Sequence, residues 1–365
     1  MRFGDITGLN PQKATLIQSV KKNHVAHAQL FHGFQGSGNL ALALAFGAYL
    51  NCRNPTETDS CGACASCSKI DKLAHPDVFF IFPTAGGKKV LSENFMNEWR
   101  SFARENVYGN LTDWLEKINI KQGNIPVEEA RKLIQNLSLK SYEGGYKLVY
   151  IWLPEMLSME TANAILKVLE EPPSQTFFLL VCNDSQHLLT TILSRVQRFV
   201  VPKFRDEDIE AFLAKSGQTE NRAKEIALLV NGNLNKALKL SVSKNENDHE
   251  WFANWMRYCY AFNVMELVPM ADEFDVFSKE HQKQVFEYSL SIFRELFLVA
   301  SGNDSLVRLE AKEEEFVRKF SKVFKMDNLH KITQLVDEGI FHLERNVRAK
   351  IIFLDVSLQI AGLIK

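Results

Sequence analysis

Residues 29 to 50 read QLFHGFQGSGNLALALAFGAYL. A short apolar run of strand character leads into a glycine-punctuated loop and then into an apolar helical stretch. The loop fits the glycine spacing of the phosphate-binding pattern G-x-x-x-x-G-K-[ST]. In that pattern backbone N–H groups turn toward phosphate oxygens, the lysine reaches the β and γ phosphates and the hydroxyl holds magnesium. Here Gly33 and Gly38 frame the loop with Gly36 between them, but Asn39 and Leu40 stand where lysine and Ser/Thr belong. Asparagine is uncharged and too short to replace the lysine, and leucine offers magnesium no oxygen. Hydrolysis at this loop is not expected. Two readings stay open: a degenerate nucleotide cradle, or a tight strand-to-helix turn that needs glycine only for its backbone shape.

Outward from the loop, VFFIF (78–82), KLVYIW (147–152) and TFFLLVC (176–182) are further apolar runs of strand length, rich in β-branched and aromatic residues. Helical patterns lie between them. One begins near Ile125-Pro126-Val127-Glu128-Glu129, with an early proline and acids suited to the positive end of a helix. Another carries Ala162, Ile165, Leu166 and Leu169 and must stop near Glu171, because Pro172 and Pro173 cannot continue it. Alternating strands and helices predict a mostly parallel α/β sheet with helices on both faces, whose ligands lie beyond the carboxyl ends of the strands.

After Pro202 the strand signal fades. FRDEDIEAFLAKSG opens a small helical unit with Asp206 as the expected cap, the polar SKNENDHE (243–250) reads as a linker, and aromatic-rich helical patterns follow. Phe286, Leu290, Phe293 and Phe297 recur at helical spacing, and Ile292, Leu296 and Leu298 widen that face, which predicts burial on several sides. The C-terminal third is therefore expected to be an α-helical bundle, with its apolar surface used either within its own fold or at a subunit interface.

The 365 residues, 46% of them hydrophobic, suffice for two or three cores. Lys plus Arg number 43 against 44 for Asp plus Glu, so a net charge of −1 gives no global attraction to nucleic acid or membrane. No run approaches about 18 uninterrupted apolar residues and the N-terminal segment lacks signal-peptide character, so a cytoplasmic location and no membrane partner are expected. Of six cysteines, Cys52, Cys61, Cys64 and Cys67 are crowded at the spacing C-x8-C-x2-C-x2-C. Pairs two residues apart can aim both sulfurs at one ion, and four thiolates close the tetrahedral shell of structural zinc. An iron–sulfur cluster and unligated thiols are the alternatives. Cys182 and Cys259 read as small buried core residues.

Several islands occur in one order: the glycine loop, the four cysteines, Ala74-His75-Pro76-Asp77, ANAILKVLEEPP (162–173) and LLTTILSRVQRF (188–199). Together they resemble a bacterial DNA polymerase III clamp-loader subunit, in fine detail over roughly the first 240 residues. The resemblance implies an AAA+ module with a degenerate P-loop and a four-cysteine zinc insertion over residues 1–202. It further implies a helical lid over 203–243 and an all-α collar for oligomerisation over 244–365. In that family the gamma or tau subunits hydrolyse ATP, whereas the delta-prime subunit does not.

Four places bear on which type this chain resembles. Asn39 and Leu40 replace the loop lysine and hydroxyl, Trp152 and Leu153 fall where the motor subunits carry a magnesium-binding Asp-Glu pair, and Asn235 falls where they have a nucleotide-sensing arginine. The fourth is kept: Ser194 and Arg195 match the start of the family's Ser-Arg-Cys motif, with Val196 in place of cysteine. The resemblance implies that Arg195 acts in trans as an arginine finger on a neighbour's ATP, with Ser194 as its motif neighbour. It implies as partners the gamma/tau ATPase subunits and the delta subunit, and, through the assembly, the sliding clamp and primer-template DNA. It also implies structural zinc and no ATP hydrolysis by this chain.

Without the motif, Arg195 would read as a surface arginine in an ordinary loop. Glu170 and Glu171 point about 100° apart on a helix, which makes them poor partners for acid/base work and predicts a solvated helix end. Lys132, Arg131 and Lys140 are candidates for direct phosphate contact, with ordinary solvated side chains as the alternative. Two rival functions are an ATP-hydrolysing gamma/tau-type subunit and a zinc-dependent nucleic-acid-binding module using Arg53, Lys69 and Lys72 beside the cysteines. Near-neutral composition and the lack of a basic, aromatic stripe weigh against the second.

Overall fold

The computed structural model describes residues 1–85, 90–242, 248–303, 306–307, 309, 311–322, 328–345 and 347–364. The chain divides into two compact units, Met1–Val242 and Ser243–Lys365. In the first, β1 (Ala28–His32), β2 (Val78–Ile81), β3 (Lys147–Trp152), β4 (Thr176–Cys182) and β5 (Gln197–Val200) form one parallel sheet in the order β2-β3-β4-β1-β5. Every residue of the inner strand β3 is buried, as a strand covered on both faces requires.

The pleat assigns alternate residues to two layers. Leu148, Tyr150, Leu179 and Val181 face a core shared with α1 (Asn10–Lys21), α2 (Asn39–Leu50), α4 (Met96–Glu105) and α5 (Leu111–Lys117). The short α3 (Ala65–Asp71) follows α2. Val149, Ile151, Phe178 and Leu180 face the opposite core, with α6 (Val127–Ser138), α7 (Met159–Glu170) and the one-turn α8 (Thr190–Leu193). This is the parallel α/β sheet with helices on both faces that the sequence led us to expect.

α2 is buried at all its positions, including Gly47, and lies directly against the sheet. A Cβ on Gly47 would stand 1.8 Å from the Tyr150 hydroxyl and 3.0 Å from Leu148 Cδ1, so close packing of helix on strand requires glycine there.

Four of the five strands stand where the apolar runs predicted, although the last two residues of QLFHGF already belong to the loop. β5 was missed. It is a four-residue edge strand that is mostly exposed, so no apolar run marks it. α7 ends at Glu170, before the two prolines, as expected. Asp206 is not a cap: Arg205 holds that position with extended backbone, and Asp206, Glu207 and Asp208 occupy the first turn of α9 (Asp206–Lys215), where their charge still faces the positive helix end. α10 (Glu220–Val230) and α11 (Leu234–Val242) complete the unit, and Ile209, Leu213, Ile226 and Leu234 join the same core as α1 and α2.

The regular elements among the described residues of the second unit are all α: α12 (Asp248–Ala261), α13 (Val264–Val276), α14 (Lys279–Ala300), α15 (Ala311–Phe320), α16 (Leu329–Glu344) and α17 (Ala349–Ile364). Trp255, Phe274, Phe286 and Phe353 meet at its centre, with Phe353 4.8 Å from both Trp255 and Phe274. Trp255 Nε1 donates to the buried Ser357 hydroxyl at 2.8 Å, satisfying a polar group that burial would otherwise leave unpaired. Phe286 and Phe293 are buried as predicted, but Phe297 is 53% exposed, so the stripe does not stay covered to the end of α14. Cys182 and Cys259 are both buried. Residues 243–247 of the expected linker lie outside the described residues. Among the described residues no helix is long and apolar enough to cross a membrane.

Gly47→Ala tests the helix–sheet contact. Alanine is the better helix former by about 1 kcal/mol, yet overpacking typically costs roughly 1–3 kcal/mol. Chemical denaturation should show a net loss of stability, partly recovered in Gly47→Ala/Tyr150→Phe; a more stable single variant would refute the close contact.

Candidate functional site

The glycine loop lies at the carboxyl end of β1, between that strand and α2, where open α/β sheets take ligands. Its interior is filled by the chain's own groups. Asn39, the first residue of α2, is 3% exposed, and its Nδ2 reaches the carbonyls of Gly33 (3.3 Å) and Cys182 (3.2 Å) and Asn183 Oδ1 (3.2 Å). Its Oδ1 accepts from Ser37 Oγ at 2.9 Å. A side-chain amide with two donors and an acceptor is therefore fully used in tying β1, β4 and the loop together. Leu40 is buried in the core.

Gly36 has φ of +72°, and a Cβ there would meet Asn233 Oδ1 at 1.8 Å. Asn233 Oδ1 accepts from the Lys236 amide at 2.9 Å at the start of α11, and Leu234 N donates to Gly36 O at 2.9 Å. The start of α11 thus closes directly over the loop.

Trp152 and Leu153 are both 2% exposed. Trp152 packs with Trp99 (5.2 Å between ring centroids) and Phe102 (5.6 Å), in an aromatic cluster that includes Trp114. Leu153 adopts φ of +57° where β3 turns into residues 154–156. Neither side chain carries a group for magnesium or water.

Sequence reasoning missed Glu155, just beyond this pair. Its Oε1 accepts the amides of Asn183 (3.0 Å) and Asp184 (3.4 Å). Burial pushes its carboxyl above the usual range, and those amides offset this only in part. Nothing in the local pattern marks Glu155, because its partners lie about thirty residues away.

Asn235 is buried, with Nδ2 2.7 Å from Asp113 Oδ2, and Lys239 Nζ reaches Asp113 Oδ1 at 2.8 Å. Burial alone would raise the Asp113 carboxyl. Lys239, the Asn110 amide and Asn235 outweigh it, so the group is held below its usual range. Where the resemblance places a nucleotide sensor, this chain has a tie between α11 and α5.

Arg195 follows α8 in the connection from β4 to β5. Its Nη1 donates to Thr191 O (2.8 Å) and Ser194 Oγ (3.1 Å), and its Nη2 forms an ion pair with Glu170. Val196 is 8% exposed and packs in the core beneath. Glu170 is thus not simply the solvated helix end we expected: the connection after β4 returns Arg195 to the end of α7, a contact invisible in local spacing.

The four cysteine ligand atoms lie within 4.8 Å of one another, and Cys61 Sγ and Cys67 Sγ are 3.9 Å apart. Thiolates about 2.3 Å from one zinc stand roughly 3.8 Å apart in a tetrahedron, so the donor set fits a structural metal. Cys64 caps α3, and Gly62 turns the chain at φ of +68°. Amides of Cys61, Cys64 and Cys67 donate to the sulfurs of Cys52, Cys61 and Cys64 respectively. Burial opposes ionisation of Cys64, but the Cys67 and Arg53 amides together with the Cys67 and Cys61 side chains outweigh it and lower its pKa to about 6.

Beside the cluster, Arg53 and Lys69 both pair with Glu143, so two of the three basic residues considered for nucleic acid are neutralised locally. Asp77 accepts the amides of Tyr142 (2.7 Å) and Glu143 (2.9 Å) and the Ser141 hydroxyl (3.0 Å), which gives the His75-Pro76-Asp77 island a structural use. Of the other basic candidates, Lys132 pairs with Glu93 and Arg131 with Glu128.

A protein-family model described as DNA polymerase III, delta subunit, matches residues 9–205, more than half of the chain. The delta' subunit of Bacillus subtilis DNA polymerase III is 24% identical over 82% of this chain and 80% of that protein. The delta' subunit of Yersinia pestis is 34% identical over 46% of this chain, and the tau/gamma subunit of Haemophilus influenzae 30% identical over 60%. The chain spans 39% and 26% of the lengths of those last two relatives. A solved gamma-subunit-related protein from Thermotoga maritima is similar with a TM-score of 0.46, at 15% identity over 97% of this chain and all of that one.

Asn39→Ala removes the amide that ties the loop and takes a hydrogen-bond donor from the Gly33 and Cys182 carbonyls. A loss of about 1–3 kcal/mol in unfolding free energy is expected, measured by denaturant titration; an unchanged midpoint would show that the tie is dispensable.

Proposed function

The chain belongs to the DNA polymerase III delta-subunit family of clamp-loader proteins, and on that premise we propose that it is a delta-prime-like member that neither binds nor hydrolyses ATP itself. Its part would be to help load a sliding clamp onto primed DNA and to present Arg195 to the ATP site of a neighbouring motor subunit. The three-part division at 1–202, 203–243 and 244–365 is part of this proposal, with the last part joining the subunits. Partners would be gamma/tau ATPase subunits and a delta subunit, with clamp and primer-template DNA reached through the assembly.

The observation that carries this reading is the conversion of the nucleotide positions into interior structure. Asn39 spends its hydrogen bonds on the chain's own carbonyls, Leu40, Trp152 and Leu153 are core residues, and Asn235 holds Asp113. A loop filled in this way supports a role as scaffold for the arginine. Guanidinium suits the finger role because it is always charged and grips phosphate oxygens as a fork. Zinc held by Cys52, Cys61, Cys64 and Cys67 would be structural, since four thiolates leave no position for substrate.

Similarity to a tau/gamma subunit favours the motor reading as the alternative. Calorimetry of the purified chain with magnesium ATP separates the two, and metal analysis of the same sample reports on the cysteines. No heat of binding at millimolar ATP and about one zinc per chain are expected; tight magnesium-dependent binding would put the motor reading first. In a reconstituted loader, Arg195→Ala should lower DNA-stimulated ATP hydrolysis severalfold or more, because arginine fingers are worth roughly 10³–10⁵ in rate at the single site they serve. Wild-type hydrolysis by that variant would remove the finger.

A further inference from the structure

Arg195 does not extend freely from the surface. Its guanidinium is docked on its own chain, with Nη1 on Thr191 O and Ser194 Oγ and Nη2 on the Glu170 carboxylate. Glu170 occupies the last turn of α7, where the partial negative charge of the helix disfavours a carboxylate and a nearby cation relieves it. Pro172 and Pro173 end the helix directly beyond, so the carboxylate is presented at a set position. The docked state is also imperfect. Arg195 Nε is buried and has no hydrogen-bond partner among the described residues, and a buried donor without a partner is costly.

The side chains of Arg195 and Glu170 are 28% and 48% exposed, so solvent screens the pair and makes it easy to break. A phosphate group competes well against such a pair, because it offers charged oxygens to both arms of the fork.

From this geometry we propose that Glu170 is a positioning residue that latches Arg195 in the resting subunit, and that the phosphate of a neighbour's nucleotide must displace it. The proposal rests on the finger reading of Arg195. No bond is made or broken in the step; one ionic partner replaces another. Glu170 thereby sets how readily the arginine transfers to the neighbour, and keeps the unengaged guanidinium from other anions. Ser194 contributes from the same side, since its hydroxyl accepts from Nη1 while donating to Thr191 O at 3.1 Å.

The test is a double-mutant cycle in a reconstituted loader with clamp and primed DNA, reading kcat/KM for ATP in wild type, Glu170→Gln, Arg195→Ala and the double variant. Glu170→Gln should raise kcat/KM about two- to fivefold, the range that corresponds to a partly exposed ion pair. Arg195→Ala should lower it, and Glu170→Gln should have no effect in the Arg195→Ala background, because a latch acts only through the arginine it holds. If Arg195→Ala lowers kcat/KM but Glu170→Gln leaves it unchanged or reduces it, the latch is overturned and the finger stands. An equal effect of Glu170→Gln in both backgrounds also overturns the latch, since it would then act on the fold. Unchanged kcat/KM in Arg195→Ala removes the finger and the latch together.

Discussion

A buried side-chain amide has to place its hydrogen bonds somewhere, and where Asn39 places them organises the carboxyl end of the sheet. Its donors reach the carbonyls at the ends of β1 and β4 and the Asn183 side chain, and its acceptor takes the Ser37 hydroxyl. Every polar atom of the amide is therefore satisfied inside the protein, and the Gly33 and Cys182 carbonyls each gain a donor. A lysine could not take this place without burying a charge, which is far more expensive than burying an amide.

Around that tie, each position that the resemblance assigns to nucleotide has another task. Trp152 extends an aromatic cluster, Leu153 closes a strand end and Asn235 secures Asp113. Gly36 and Asn233 bring the start of α11 down onto the loop, so the loop's shape is held by packing where a bound phosphate would hold it elsewhere. These contacts favour one arrangement of the helices α9 to α11 against the sheet, because each links groups far apart in the chain. The cysteine cluster at another edge is local by contrast: Gly62 and the cap of α3 bring the four sulfurs of residues 52–67 within reach of one ion.

Arg195 is the exception. It sits in a connection, partly exposed, and its partners Thr191, Ser194 and Glu170 all belong to two short neighbouring stretches of chain. Val196 anchors the backbone from beneath, so replacement of the motif's cysteine keeps an apolar contact at that point. A side chain held by a few screened contacts over an anchored backbone can change partners without disturbing the fold.

Local pattern was enough for much of the architecture. Four strands, the start of α6, the end of α7 before Pro172 and the cysteine grouping were all legible, because alternation, proline and short spacings act over a few residues. The departures from the phosphate-loop pattern were visible too, as absent charge and absent oxygen. What those residues do instead was not. The exposed edge strand β5, the cap position of Asp206, the buried Glu155, the tie from Asn235 to Asp113 and the pairing of Arg195 with Glu170 depend on backbone or side-chain geometry that the local pattern does not carry. The sequence by itself determined which charge and which oxygen of the phosphate-loop pattern are absent, since side-chain type alone decides charge and ligand atoms. Only the tertiary structure decided what replaced it, because hydrogen bonds and ion pairs between distant residues exist only once the fold has brought them together.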